Sequence, residues 1–207
     1  GVVSPQVFLV SNHHPRLYDF SLLLNTLERE LPAHKKHALL LAMPNISLEV
    51  INKKKKAFHS KIKYLATLSA AVAAVPVPGL STAVDISLLV GVVTRWVFGF
   101  GLDIPSLRRL ADSTGVTLDD LLAIIVSSLA AVDITPELVL KLLAELGVVA
   151  TLLAAEEGTR FIPILGIPAA MALSFTFTYF ALNKFLDMLS EDAQKVFERA
   201  LGLNTSV

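Results

Sequence analysis

Residues 65–84 read Leu-Ala-Thr-Leu-Ser-Ala-Ala-Val-Ala-Ala-Val-Pro-Val-Pro-Gly-Leu-Ser-Thr-Ala-Val, a stretch of twenty residues without a charge. This length matches the roughly 20 residues with which a helix crosses a bilayer. However, Pro76, Pro78 and Gly79 interrupt it, and proline cannot continue a helix because it lacks an amide hydrogen and its ring clashes with the preceding turn. The stretch therefore predicts two buried helices joined by a loop.

A second charge-free stretch covers residues 161–183 and begins with Pro163, Gly166 and Pro168, which shorten the uninterrupted apolar part. The whole chain is 54% hydrophobic and only 17% charged, against roughly a quarter charged in an average domain. We expect residues 65–75, 82–98 and 169–186 to pack against one another as a water-soluble core. The alternative from composition is a polytopic or pore-forming membrane protein.

Helix boundaries after residue 45 follow from capping residues, which accept hydrogen bonds from the free amides of a first turn. Ser47 predicts a long helix that runs to about residue 75, and glycines predict helix ends at Gly115 and Gly202. Four further positions have the pattern of helix starts: Thr82 with Asp85, Thr117 with Asp120, Thr135 before Pro136, and Ser190 before Asp192. The pattern predicts about eight helices after residue 45 and no strand.

The first 44 residues differ from the rest. Residues 7–10 (Val-Phe-Leu-Val) predict a buried strand of a parallel sheet, and Asp19 predicts the cap of a helix from Phe20 to Leu31. No second strand follows, so the sheet is expected to lie in a preceding part of a longer protein. No signal-peptide pattern is present at the start. We predict two units: residues 1–44, the end of an α/β domain, and residues 45–207, a multi-helix bundle, in a mainly α chain.

Several kinds of chemistry are disfavoured. The chain has no cysteine, which excludes a disulfide framework and a thiolate metal site. None of its ten glycines is followed by lysine, so it lacks the loop that binds nucleotide phosphates. His13 and His14 are adjacent, and His34 and His37 flank Lys35 and Lys36, whose positive charge opposes a cation, so no metal site is predicted. We therefore predict that this chain alone contains no catalytic residue, binds no cofactor and does not hydrolyse GTP.

The basic run Lys53, Lys54, Lys55 and Lys56 offers candidates for phosphate or lipid contact. Residues 1–63 carry a net charge of +6 (ten Lys or Arg, four Asp or Glu), and the remainder carries −6. The alternative for the run is a solvated helical face near a domain junction. Nucleic acid is not an expected partner, because too few aromatic residues accompany the lysines.

Nine elements, in this order, resemble the carboxy-terminal half of the immunity-related (interferon-inducible) GTPases. They extend over about residues 7–201: the apolar run before Ser11-Asn12, Tyr18-Asp19-Phe20, Leu31-Pro32, Lys35-Lys36-His37, Pro44-Asn45-Ile46, the lysine-rich helix start, Val75-Pro76-Val77-Pro78-Gly79-Leu80-Ser81, Phe98-Gly99-Phe100-Gly101-Leu102-Asp103, and Glu191-Asp192-Ala193.

The resemblance implies a dynamin-like GTPase of cell-autonomous innate immunity, with a Ras-like nucleotide-binding (G) domain and a helical domain built from both chain ends. Ser11 and Asn12 would contact the guanine base at the end of the last strand. GTP or GDP with Mg²⁺ would be held by the full-length protein, which would assemble through its G domains. It would be cytoplasmic and peripherally associated with endoplasmic reticulum, Golgi or vacuole membranes. A nonenzymatic interaction domain is the third alternative.

Overall fold

The computed structural model describes residues 6–11, 18–75, 80–147 and 163–202. Within these ranges the protein forms eight helices and no strand. The helices are α1 (Phe20–Glu30), α2 (Ala33–Ala42), α3 (Leu48–Ala73), α4 (Leu80–Gly99), α5 (Ile104–Thr114), α6 (Leu118–Ala123), α7 (Pro136–Glu145) and α8 (Pro163–Ala200). The predicted mainly α fold is confirmed for the described part of the chain.

The three long helices α3, α4 and α8 form the centre of the bundle. Helix α8 packs along α3, and α4 lies against both. Their facing side chains, among them Ile62, Leu89, Val93 and Phe185, are almost completely buried. Burial of a large aliphatic or aromatic side chain contributes about 1.5–3 kcal/mol, so this three-helix contact supplies much of the core. The three apolar segments therefore pack against one another as the sequence predicts.

One stretch, Thr82–Thr114, is long and apolar enough by composition to cross a membrane. It comprises most of α4 and α5, and 39% of its most apolar window is buried in the bundle. A core helix of a soluble protein meets the same criterion of length and composition.

Most predicted helix boundaries are confirmed, because capping depends on local chemistry. The hydroxyl of Ser47 accepts from the Val50 amide at 3.2 Å and starts α3. Thr117 and Thr135 start α6 and α7 in the same way. Gly115, at the end of α5, has a φ of 73°, a left-handed conformation that glycine adopts without strain.

Two predicted helix starts are wrong. Helix α4 already begins at Leu80, so Thr82 lies inside it. Ser190 lies inside α8, and its hydroxyl donates to the Asp187 carbonyl. Asp192 does not cap α8 but accepts from the amides of Val126 and Ser127 at 2.9 and 3.0 Å. In both places burial of a continuous helix outweighs a local capping pattern.

The strand predicted for residues 7–10 is not formed, and residues 6–11 have no regular secondary structure. A strand requires a paired neighbour, which the described chain does not offer. Instead the Leu9 amide donates to the Asp19 carboxylate at 3.1 Å, and the Asp19 amide donates to the Leu9 carbonyl at 2.9 Å. Asp19 occupies the predicted N-cap position directly before α1, but its side chain makes no cap hydrogen bond to the helix.

The described residues after residue 45 hold six helices, where the sequence predicts about eight. The predicted loop at Pro76 to Gly79 and the acidic pair Glu156 and Glu157 lie outside the described residues. The predicted boundary at residue 45 falls in the short linker between α2 and α3 and stays a prediction.

Candidate functional site

A buried lysine occupies the point where α2, α3 and α4 meet. Lys54 is only 2% exposed. Its ammonium donates to the Met43 carbonyl at 2.5 Å, to Asn45 Oδ1 at 2.9 Å and to the Gly99 carbonyl at 2.7 Å. The Asn45 amide in turn donates to the Phe100 carbonyl at 2.5 Å. We call these five residues the Lys54 junction; it brings together three of the sequence elements that carry the family resemblance.

The neighbouring lysines Lys53 and Lys54 have pKa values that are shifted in opposite directions. Burial lowers the pKa of Lys54 to about 8, because the charged form loses its hydration. The ammonium of Lys53 lies 2.7 Å from the Glu28 carboxylate and 3.1 Å from that of Glu49. The hydrogen bond to Glu28 raises the pKa of Lys53, with Glu49 adding to the effect. Lys53 thus bridges α1 and α3 at the surface, and Lys54 bridges α2 and α4 underneath.

Gly99 is required by close packing at the same junction. A Cβ atom built on Gly99 would lie 2.5 Å from Cζ of Phe58, well inside van der Waals contact. The Phe58 ring has no free space to withdraw into, because it packs against Trp96 and Phe100 at centroid distances of 5.7 and 5.3 Å. The glycine therefore lets the end of α4 approach α3 closely enough for its carbonyl to reach Lys54.

The four lysines of the basic run do not share one face. Lys54 is turned inward, Lys53 pairs with two glutamates, and Lys55 pairs with Asp187 at 2.7 Å. Lys56 is exposed. A lipid or phosphate contact by the run stays a prediction, and Lys54 does not face any surface ligand.

A different basic surface follows on the exposed side of α3. We define the α3 basic face as Lys56, Lys61, Lys63, Tyr64 and Leu68, all exposed, with Tyr64 at 71% and Leu68 at 47%. Within the described ranges, none of its three lysines forms an ion pair. Sequence reasoning missed Tyr64 and Leu68 as members; their helical spacing from the lysines is the signal that could have identified them.

A polar cluster lies inside the apolar bundle and was not predicted. The Asp85 carboxylate on α4 accepts hydrogen bonds from Ser69 on α3 and from Ser174 on α8, the latter at 2.9 Å. Ser69 also contacts the Thr178 hydroxyl at 2.9 Å, and all four residues are buried. A buried carboxylate requires such partners, so the cluster fixes how α3, α4 and α8 meet.

A groove of about 290 Å³ lies between α1, α2 and the start of α3. It is lined by apolar side chains, among them Leu24, Leu39 and Val50, and by polar and charged ones, among them Glu28 and Lys53. The amino-terminal helices therefore do not close tightly over α3.

The predicted nucleotide contacts lie at the edge of the described structure. Ser11 belongs to the irregular segment 6–11, and Asn12 lies outside the described residues. Their contact with a guanine base stays a prediction. In the part of the chain that the structure describes, no three His, Asp or Glu side chains form a group that could hold a metal ion.

Comparison with known proteins identifies the class. Residues 1–200 match the interferon-inducible GTPase (IIGP) family, and the chain belongs to this family. It is 42% identical to bovine Interferon-inducible GTPase 5 over 203 residues, which are 97% of this chain and 43% of that protein. The rat protein of the same name is 40% identical over the same shares. Mouse Interferon-gamma-inducible GTPase 10 is 29% identical over the whole chain and 47% of its own length. The chain thus spans less than half the length of these relatives.

Proposed function

We propose that this chain is the carboxy-terminal part of a dynamin-like GTPase of innate immunity, and that the full-length protein binds and hydrolyses GTP with Mg²⁺. The match of residues 1–200 to the interferon-inducible GTPase family carries the proposal. The chain contains no glycine followed by lysine, so the phosphates would be held by a preceding segment. Positioning of the phosphates and Mg²⁺ supplies nearly all of the catalysis in phosphoryl transfer. The role of this chain is then to provide the helical bundle.

Within that protein, Ser11 and Asn12 would contact the guanine base, and self-assembly would proceed through the G domains. A backbone amide and an Asn side chain can both hydrogen-bond to a base. Such contacts are worth about 0.5–1.5 kcal/mol each, which contributes selectivity for guanine but not tight binding.

The test of the enzymatic part is GTP turnover by the full-length protein with and without Mg²⁺. We expect Mg²⁺-dependent hydrolysis, and a weaker affinity for GDP in Asn12→Ala by about three- to tenfold, the equivalent of one hydrogen bond. Asn25→Ala, on α1, is the matched control and should bind GDP as the wild type does. A full-length protein that neither binds nor hydrolyses GTP would exclude this function.

For the membrane, we propose peripheral contact through the α3 basic face on the cytoplasmic side of the endoplasmic reticulum, Golgi or a vacuole. Each lysine near an anionic membrane contributes about 1 kcal/mol, and Tyr is favoured at the boundary between headgroups and acyl chains. Three lysines that form no ion pair within the described ranges, beside Tyr64 and Leu68, fit such a surface better than the paired Lys53 and Lys55 do.

Sedimentation with vesicles tests this contact. The full-length protein should bind vesicles that contain phosphatidylserine more strongly than vesicles of phosphatidylcholine alone, and less strongly as salt rises. Joint replacement of Lys56, Lys61 and Lys63 by Gln should reduce binding at least tenfold, whereas Lys141→Gln should not. Equal binding to both vesicle types would contradict the proposal. Resistance of the cellular protein to carbonate extraction, without lipidation, would favour a membrane span at Thr82–Thr114 instead.

A further inference from the structure

The Lys54 junction connects parts of the chain that are far apart in sequence. Met43 directly follows the last residue of α2, Asn45 lies in the linker before α3, and Gly99 is the last residue of α4. We propose that Lys54 is a latch that ties the amino-terminal helices α1 and α2 to the end of α4, so that a displacement of α1 and α2 changes the conformation of the α4–α5 turn.

The chemistry of the acceptors explains why a lysine occupies this position. The carbonyls at a helix carboxyl end have no partner within their own helix and carry the negative end of the helix dipole. Met43 and Gly99 present two such carbonyls, one from each of two helices, and Asn45 adds a third oxygen. An ammonium group has three protons and no acceptor atom. Its three donors match the three oxygens, so a single charged group satisfies the ends of two helices at once.

Beside the latch, Leu41 of α2 packs against the core of the bundle. An ion pair of Lys53 with Glu28 links α1 to α3; its side chains are 34% and 51% exposed, and exposed ion pairs contribute little. The groove of about 290 Å³ under α1 and α2 leaves apolar surface there without close packing. Asn45 extends the connection because it bonds both to Lys54 and to the Phe100 carbonyl. A shift of α2 would therefore reach the end of α4 through these few polar bonds.

Hydrogen exchange measured by mass spectrometry on the 207-residue chain tests the latch. In Lys54→Met we expect exchange to accelerate at least tenfold in two separate segments, residues 39–47 and 97–103. Exchange in residues 181–197 of α8 should change less than twofold. The control is Lys56→Met, which removes an exposed lysine two positions further along the same helix. It should leave all three segments unchanged within twofold.

Two results would overturn the proposal. One is acceleration in only one of the two segments, because a latch must release both. The other is an equal acceleration in α8, which would assign Lys54 a general role in stability. If Lys54→Met does not fold, Asn45→Ala is the milder variant, since the ammonium keeps two of its oxygens. It should accelerate the same two segments while α8 stays protected, and failure to do so would also overturn the proposal.

The consequence for the full-length protein rests on the proposed GTPase function. There, wild-type exchange in residues 97–103 should differ between the GDP-bound and GTP-bound states, and Asn45→Ala should abolish the difference. A full-length protein that binds no nucleotide would refute the proposed function but leave the latch to the test on the 207-residue chain. If Asn45→Ala binds nucleotide and keeps the full difference in exchange of residues 97–103 between the two nucleotide states, the latch is refuted and the proposed GTPase function is not.

Discussion

The two glycines of α4, Gly91 and Gly99, provide a matched test of the packing at the Lys54 junction. Both lie in the same helix, and the same substitution to alanine should have opposite effects on stability. A Cβ on Gly91 meets no atom within 4 Å, whereas a Cβ on Gly99 lies 2.5 Å from Phe58. The substitution is the same at both positions, so the difference in stability mainly reports the contact of Gly99 with α3.

The magnitudes follow from the two environments. Gly91→Ala should stabilise the protein by about 0.5–1 kcal/mol, because alanine loses less backbone entropy in a helix interior. Gly99→Ala has a smaller gain of this kind at the helix end and must displace a ring held by Trp96 and Phe100. Inserting a methyl group into a packed core costs about 1–3 kcal/mol, so we expect a net destabilisation of about 1–2 kcal/mol.

Urea unfolding followed by circular dichroism, on wild type and both variants, measures these differences. A thermal scan should show the two variants separated by about 3–12 °C, since they differ by about 1.5–3 kcal/mol and 1 kcal/mol corresponds to about 2–4 °C for a chain of this size. Equal stability of Gly99→Ala and Gly91→Ala would show that Gly99 does not pack tightly against Phe58.

Three further predictions concern other contacts. The pKa of Lys54 is about 8 in the folded protein, against an ordinary value of 10.5. Between these two pH values the unfolded chain therefore binds more protons than the folded protein, so the free energy of unfolding should rise with pH. Relative to Lys54→Met, the rise should reach up to about 3 kcal/mol. Denaturant titrations of the wild type and Lys54→Met at pH 7.5 and pH 10.5 measure this rise. An equal change in the free energy of unfolding of the two proteins would contradict it. Asp192→Ala should destabilise the protein by about 1–3 kcal/mol, because the buried Ser127 amide and the part-buried Val126 amide lose their acceptor. An unchanged urea midpoint would contradict this. The apolar side chains of Val7 and Leu9 are 86% and 62% exposed, so replacing both by Ser should reduce self-association of the chain in sedimentation velocity. Unchanged self-association would show that another surface causes it.

The helix boundaries that could be predicted are those decided within one turn of chain. Ser47, Thr117 and Thr135 cap helices because each side chain reaches an amide three residues away. Thr82 and Ser190 have equally good local patterns, but both lie inside helices that the bundle buries. No rule based on neighbouring residues can separate these cases, because the deciding contacts come from other helices.

The same limit applies to the candidate sites. A run of four lysines predicts a solvated face, yet successive residues on a helix point about 100° apart, so one of them turns inward. Lys54 is the residue that turns inward, because it donates to the Gly99 carbonyl, and Gly99 lies 45 residues further along the chain. The prediction of a strand at residues 7–10 is wrong for a related reason. The segment has the apolar pattern of a buried strand, but the described part of the chain contains no strand with which it could pair.

We propose above that the chain is part of a GTPase but does not hold the nucleotide phosphates itself. Calorimetric titration of GTP with Mg²⁺ into residues 1–207, beside the same titration into the full-length protein, tests this most directly. We predict tight binding by the full-length protein and no submicromolar binding by residues 1–207, because base contacts alone are worth only about 1–3 kcal/mol. Submicromolar affinity for GTP in residues 1–207 alone would contradict the claim.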